Sequence, residues 1–255
     1  MILIDTHAHL YAEEFDSDRD EMIARATQKG LANILLPNID LQSIEPMHQL
    51  CAQYPQLLFP MMGLHPSSVG DDYQIVLSKM KMLLSSNNYI AIGEVGIDLY
   101  WDKNFIAQQK EAFAMQIQWS IEQELPLVIH SREAHDEIME VLNSFKTEKL
   151  RGVFHCFTGT TEQALEIIDR GFLLGIGGVL TFKNAQLPYT LQAIDLKYLV
   201  LETDAPYLSP VPNRGRRNES AYLELVAERL AEIKQLSLTE LAEITTRNAT
   251  NLFNL

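Results

Sequence analysis

Cysteine is scarce: Cys51 and Cys156 are the only two in 255 residues. Two thiols cannot build a disulfide framework for a chain of this length, which points to a reducing compartment and a cytoplasmic location. Long apolar runs are missing as well. Nowhere do about 18 apolar residues follow one another, so no membrane-spanning helix is expected. Met1 to Asp5 show neither the basic n-region nor the apolar h-region of an export signal. Basic residues are outnumbered, 20 Lys and Arg against 34 Asp and Glu, for a net charge of −14. That balance disfavours non-specific attraction to nucleic acid and anionic membranes, so a nucleic-acid substrate would need a local positive field. No composition shift, internal repeat or low-complexity segment divides the sequence, and a single domain over residues 1–255 is expected.

What is present is a regular alternation. Hydrophobic residues make up 47% of the chain, enough for a sizeable core. Short apolar, β-branched runs recur between longer segments of helical period: Ile2 to Thr6, Ala32 to Leu36, Leu57 to Gly63, Tyr89 to Glu94, Leu127 to His130, Gly152 to His155, Phe172 to Ile176 and Tyr198 to Thr203. Eight strands with helical segments between them match the count at which a parallel sheet closes. The expected fold is α/β, a single (β/α)8 TIM barrel with its active site at the C-terminal mouth of the strands. Thr160 with Gln163 and Ser237 with Glu240 read as capping boxes, and Gly30 and Gly171 as helix stops. The stretch "GIGGVL" (175–180) lacks the Lys-Ser/Thr of a P-loop and reads as a tight turn.

The unusual polar residues collect at the strand ends. His7 and His9 close the first strand, Glu94 the fourth, His130 the fifth and His155 the sixth, and Asp204 follows the eighth. A barrel brings such ends to one mouth. His7 and His9 fall on one face of their strand, about 6.6 Å apart at ~3.3 Å per residue, close enough to hold one ion. Four imidazoles and two carboxylates exceed one tetrahedral shell, so two divalent ions (Mg, Mn or Zn) are expected. Glu94 lies between the two histidine pairs in barrel order and is the expected bridge. His7, His9, Glu94 and Asp204 would hold one ion, and Glu94, His130 and His155 the other. Water made acidic by such ions supplies a nucleophile without a catalytic serine or cysteine, and Asp204 is placed to take its proton. Glu202, two residues earlier, could act from behind. Two divalent ions less two carboxylates leave the mouth at about +2, which suits phosphate oxygens.

The sequence resembles the TatD family of metal-dependent deoxyribonucleases, a branch of the amidohydrolase-like barrels. The resemblance rests on "LIDTHAHL" (3–10), "GLHP" (63–66), "IGEVGIDLYW" (92–101), "LPLVIHSREAHDE" (125–137), "GVFHCFTG" (152–159), "LETDAPYLSP" (201–210) and "RGRRNES" (214–220), in order across the whole chain. It implies the same six metal ligands. It also implies hydrolysis of DNA phosphodiester bonds, often exonucleolytic, by a soluble enzyme, with aminoacyl-tRNA among the substrates of some members. Two positions depart from the family pattern: Tyr11, where Asp or Asn is common, and Ser220, where Pro is common. Both are expected to bear on substrate preference more than on metal binding.

His65 in "GLHP", Arg132 and the loop arginines Arg214, Arg216 and Arg217 are the expected substrate-phosphate contacts, with Asn218 and Glu219 holding that loop. His48 and His135 sit in helical stretches and are expected at the surface, and Cys156 behind His155. The reading favoured is a two-metal phosphodiesterase acting on single-stranded or frayed DNA ends, because an open mouth takes an extruded strand more easily than a stacked duplex. The alternative keeps the metal site and hydrolyses an amide, lactone or aminoacyl ester. A non-catalytic binding module is disfavoured by the complete ligand set. No membrane and no obligate protein partner are indicated.

Overall fold

The computed structural model describes residues 1–86, 88–101, 103–147 and 149–255. Its strands are β1 (Leu3–Asp5), β2 (Leu31–Leu36), β3 (Leu58–Met62), β4 (Ala91–Asp98), β5 (Leu127–Arg132), β6 (Gly152–Phe154), β7 (Phe172–Ile176) and β8 (Leu199–Leu201), paired in parallel in chain order. The chain returns from β8 to β1 just beyond the strand ends. There Thr6 N–H donates to the Leu201 carbonyl (3.0 Å), Asp204 N–H to His7 (2.9 Å) and His9 N–H to Ala205 (2.7 Å). The fold is the expected TIM barrel.

The helices are α1 (Arg19–Gln28), α2 (Ile44–Gln53), α3 (Tyr73–Ser86), α4 (Ile106–Gln123), α5 (His135–Ser144), α6 (Thr161–Asp169), α7 (Leu187–Ala193), α8 (Leu223–Lys234) and α9 (Leu238–Phe253). In α8 the buried set is Leu223, Val226, Ala227, Leu230 and Ala231, the i, i+3, i+4 spacing of one helical face. Both expected capping boxes are formed, at Thr160 and at Ser237. Gly30 and Gly171 take positive φ where α1 and α6 stop. Ile4, Leu35, Met61, Ala91, Val128, Val153 and Val200 form an inner layer, which Ala249, Leu252 and Phe253 of α9 plug from below. The barrel floor is therefore packed and the chemistry is confined to the upper mouth. "GIGGVL" ends β7 and enters the short 3-10 turn Gly178–Thr181.

One strand differs from expectation in a way that matters. β4 continues four residues past Glu94, because Val95 to Asp98 pair with Ile129 to Arg132. Between Ile92 and Val95 it advances three residues while β5 advances two, from Leu127 to Ile129. This bulge shifts the alternation by one. Ile92, Val95 and Ile97 all pack into the layer beneath the helices, yet Glu94 turns into the mouth. Without the extra residue Glu94 would share the outward face of Ile92.

Candidate metal centre

His7 and His9 flank Ala8, which bridges Ala205 across the seam of the ring. His130 lies in β5, His155 directly follows β6, and Asp204 follows β8 with a left-handed φ of 58°. That conformation costs a non-glycine residue of order 1–3 kcal/mol and persists because the seam hydrogen bonds hold it. All six expected ligands converge, and Glu94 is their centre. Its Oε2 lies 3.1 Å from His7 Nε2 and 3.6 Å from His9 Nε2. Its Oε1 lies 2.6 Å from His130 Nδ1 and 2.9 Å from His155 Nε2. Asp204 Oδ1 joins the first group, 3.7 Å from His7 Nε2 and 3.5 Å from His9 Nε2.

Burial and charge oppose each other here. Burial would raise the Glu94 carboxyl, but His155, His65 and His7 outweigh it and hold it well below the usual carboxylate range. Burial likewise opposes charge on His155 and His130, yet Glu94 and Glu202 push His155 well up, and Asp98 and Glu94 push His130 up. His7 moves the other way, lowered by burial and by the neighbouring His155 charge. Asp204 is lowered because His9, His155 and His7 outweigh its burial. A carboxylate kept ionised among imidazoles that compete for protons is a donor set that a divalent cation satisfies better than protons do. Three overlapping groups, His7–His9–Glu94, His7–His155–Asp204 and His65–Glu94–His130, each place their ligand atoms within 4.8 Å of one another. His7 and His9 face each other through Nε2 at 3.3 Å, a contact in which only one nitrogen can donate. The residues present fit metal ions.

Behind the six residues stand side chains that set their orientation. His130 presents Nδ1 to Glu94, and its Nε2 meets Asp98 Oδ2 at 2.9 Å. His155 Nδ1 lies 3.4 Å from Glu202 Oε1, which also accepts the Cys156 N–H. A Cβ at Gly175 would meet Glu202 Oε2 at 2.2 Å, so glycine leaves room for that carboxylate. Asp98 escaped the sequence reading because it lies past the expected end of its strand; the signal available was an acidic residue four positions after Glu94. Asp5 was also missed. Its carboxylate accepts the Thr203 N–H (2.9 Å) and meets the Thr203 hydroxyl at 2.6 Å, tying β1 to the end of β8. Burial, opposed by the Thr203 and His7 hydrogen bonds, raises its pKa to about 7.

The centre floors a cavity of about 800 Å³ lined by His65, Trp101, Arg132, Cys156 and Tyr207 among others. Cys156 thus faces the cavity rather than packing behind His155. His65 Nδ1 accepts the Ser67 N–H (3.1 Å), which leaves the proton on Nε2, pointing at Glu94 Oε1 3.3 Å away. Burial lowers its pKa, so it is a neutral donor aimed into the site. The Arg132 guanidinium stacks 3.8 Å above Tyr100.

Arg214, Arg216 and Arg217, expected at the substrate, do not line this cavity. Arg214 lies 3.6 Å over Phe182. Arg217 makes a bidentate pair with Asp18 (2.6 and 2.8 Å), a partner 199 residues away. Arg25 pairs with Asp18 and Glu219, and Asn218 donates to the Thr203 and Tyr207 carbonyls, so the loop is fastened to α1 and the seam. Ser220 is fully buried and Tyr11 half-buried, and neither lines the cavity. His48 (in α2) and His135 (in α5) stand outside the centre, His135 paired with Glu166.

A family model described as "TatD related DNase" matches residues 4–254. The chain belongs to the TatD family. An uncharacterized metal-dependent hydrolase of Bacillus subtilis, YabD, is 39% identical over 255 residues, covering all of both chains. The 3′-5′ ssDNA/RNA exonuclease TatD of Pectobacterium carotovorum is 30% identical over 261 residues, covering 99% of this chain and 100% of that one. The crystal structure of YJJV, a TatD homologue of Escherichia coli K12, superposes with a TM-score of 0.93 at 27% identity, over 99% of this chain and 98% of the other. This TatD-family chain is an enzyme of the metal-dependent hydrolase class. Among its described residues no helix is long and apolar enough to cross a membrane.

Proposed function

We propose that the enzyme hydrolyses phosphodiester bonds at single-stranded ends of DNA, with Glu94 as the residue that two divalent ions would share. The observation that carries this reading is the division of labour on one carboxylate: Oε2 serves His7 and His9, and Oε1 serves His130 and His155. Two ions would be held by His7, His9, Glu94 and Asp204 and by Glu94, His130 and His155. When bound, they supply Lewis acidity toward phosphoryl oxygens and make water acidic near neutral pH. The name of the Pectobacterium relative supports a nucleic-acid substrate.

The chain's own residues do the rest. Asp204, more exposed than Glu94 at 13% against 3% of its side chain, takes the proton of the attacking water. His65 Nε2–H and the Arg132 guanidinium donate to phosphate oxygens. Trp101, 72% exposed at the cavity rim, offers its face to a base. Trp101→Ala is expected to raise KM for single-stranded oligonucleotides roughly 5- to 100-fold, the worth of one base stack, with kcat on a dinucleotide little changed. Steady-state kinetics on substrates of graded length check this; an unaltered KM removes Trp101 from the substrate path.

The function itself is tested by giving one preparation end-labelled single- and double-stranded oligonucleotides beside a panel of lactones, amides and aminoacyl esters. Stepwise shortening of the single strand is expected. Turnover confined to the carbonyl panel would assign the same centre to acyl hydrolysis instead.

A further inference from the structure

We propose that Tyr11 sets the tautomer of His9, so that the imidazole presents its Nε2 lone pair to the ion shared with His7, Glu94 and Asp204. The inference rests on the two-ion reading above for its consequence, but its geometry stands alone. The Tyr11 hydroxyl donates to the Pro37 carbonyl at 2.6 Å. A carbonyl only accepts, and a phenol has one proton. In its second contact, 3.1 Å from His9 Nδ1, the same oxygen must therefore accept, and Nδ1 must carry the hydrogen. A neutral imidazole has one N–H, so Nε2 keeps its lone pair. That atom lies 3.6 Å from Glu94 Oε2 and 3.5 Å from Asp204 Oδ1.

The arrangement parallels the carboxylates Asp98 behind His130 and Glu202 behind His155, with a phenol anchored on backbone in place of a carboxylate. Pro37 directly follows β2, so the relay ties the exit of β1 to the exit of β2. Tyr11 faces a separate depression lined by Asp16 to Glu21 and Gln49, not the substrate cavity. It is a positioning residue that acts through His9, and its departure from the family pattern bears on metal binding more than on substrate choice.

Tyr11→Phe keeps the ring and removes only the relay oxygen. With no acceptor for Nδ1–H, His9 is free to move its proton to Nε2. Nitrogen-15 spectra of histidine-labelled, metal-free protein at about pH 9, above the ordinary imidazole range, are expected to show His9 as the Nδ1–H tautomer in the wild type. In Tyr11→Phe they should show a mixture or the reverse. His9→Gln assigns the signal. Cobalt(II) titration is expected to give two binding steps in the wild type, and one of them should weaken by about 10- to 100-fold in the variant. The other step should hold, with little change in the Tm of the metal-free chain. An unchanged His9 tautomer overturns the proposal, as does equal weakening of both steps with a fall in Tm, which marks a purely structural tyrosine. A single step in the wild type overturns the two-ion reading, while the spectra still decide the role of Tyr11.

Discussion

Glu94→Gln is expected to reduce kcat/KM on a single-stranded oligonucleotide by at least about 10³-fold, more than the 10- to 100-fold cost of losing an orienting partner behind a ligand. The amide matches the carboxylate in shape, so the barrel should stay folded. What it loses is the charge on which both histidine groups converge, through Oε2 at 3.1 Å from His7 and Oε1 at 2.6 Å from His130. A glutamine offers one oxygen and one NH2, and the NH2 repels a cation. Binding of both ions should fall together, which separates Glu94 from a ligand of one ion such as His155. Kinetics beside metal analysis of the purified variant check this. Near wild-type turnover with two bound ions would contradict the bridging role.

Gly96→Ala should be strongly damaging. Gly96 pairs with His130 across β4 and β5 and has a φ of +143°. A Cβ there would lie 2.0 Å from the His130 carbonyl oxygen and 3.0 Å from its carbon, atoms that cannot give way without moving the strand that aims the His130 imidazole. Overpacking of about 1–3 kcal/mol and backbone strain of about 1–3 kcal/mol sum to about 2–6 kcal/mol. That is a large share of a typical total of roughly 5–15 kcal/mol. A Tm loss of roughly 5–20 °C is expected, with weakened metal binding in whatever protein stays folded. Gly215→Ala is the control. Its φ is +83° with nothing within 4 Å of the added carbon, so only the backbone cost of about 1 kcal/mol applies. Equal melting of the two variants would remove the close approach at Gly96 from the explanation.

Much of the centre was legible because ligands at strand ends need no knowledge of side-chain contacts. His7, His9, His130, His155 and Asp204 follow from strand placement and barrel closure alone. Glu94 was reached through a strand drawn too short. Its inward direction depends on the bulge between Ile92 and Val95, which simple alternation does not reveal. Asp98 was lost with the end of that strand. Arg217 shows the opposite failure. A basic loop beside the mouth looked like a phosphate clamp, but its partner Asp18 is 199 residues distant and only the fold brings them together. Tyr11 was recognised as unusual and expected to bear on substrate preference, whereas its contacts run to Pro37 and His9 rather than into the cavity.

The most direct test of the proposed Glu94 bridge is to strip the protein of metal and restore manganese in sub-stoichiometric steps, following cleavage of a labelled single strand and bound ions per chain together. Activity should lag the first equivalent and rise with the second, and Glu94→Gln should hold both equivalents more weakly and show no rise. Full activity at one ion per chain would contradict the bridge.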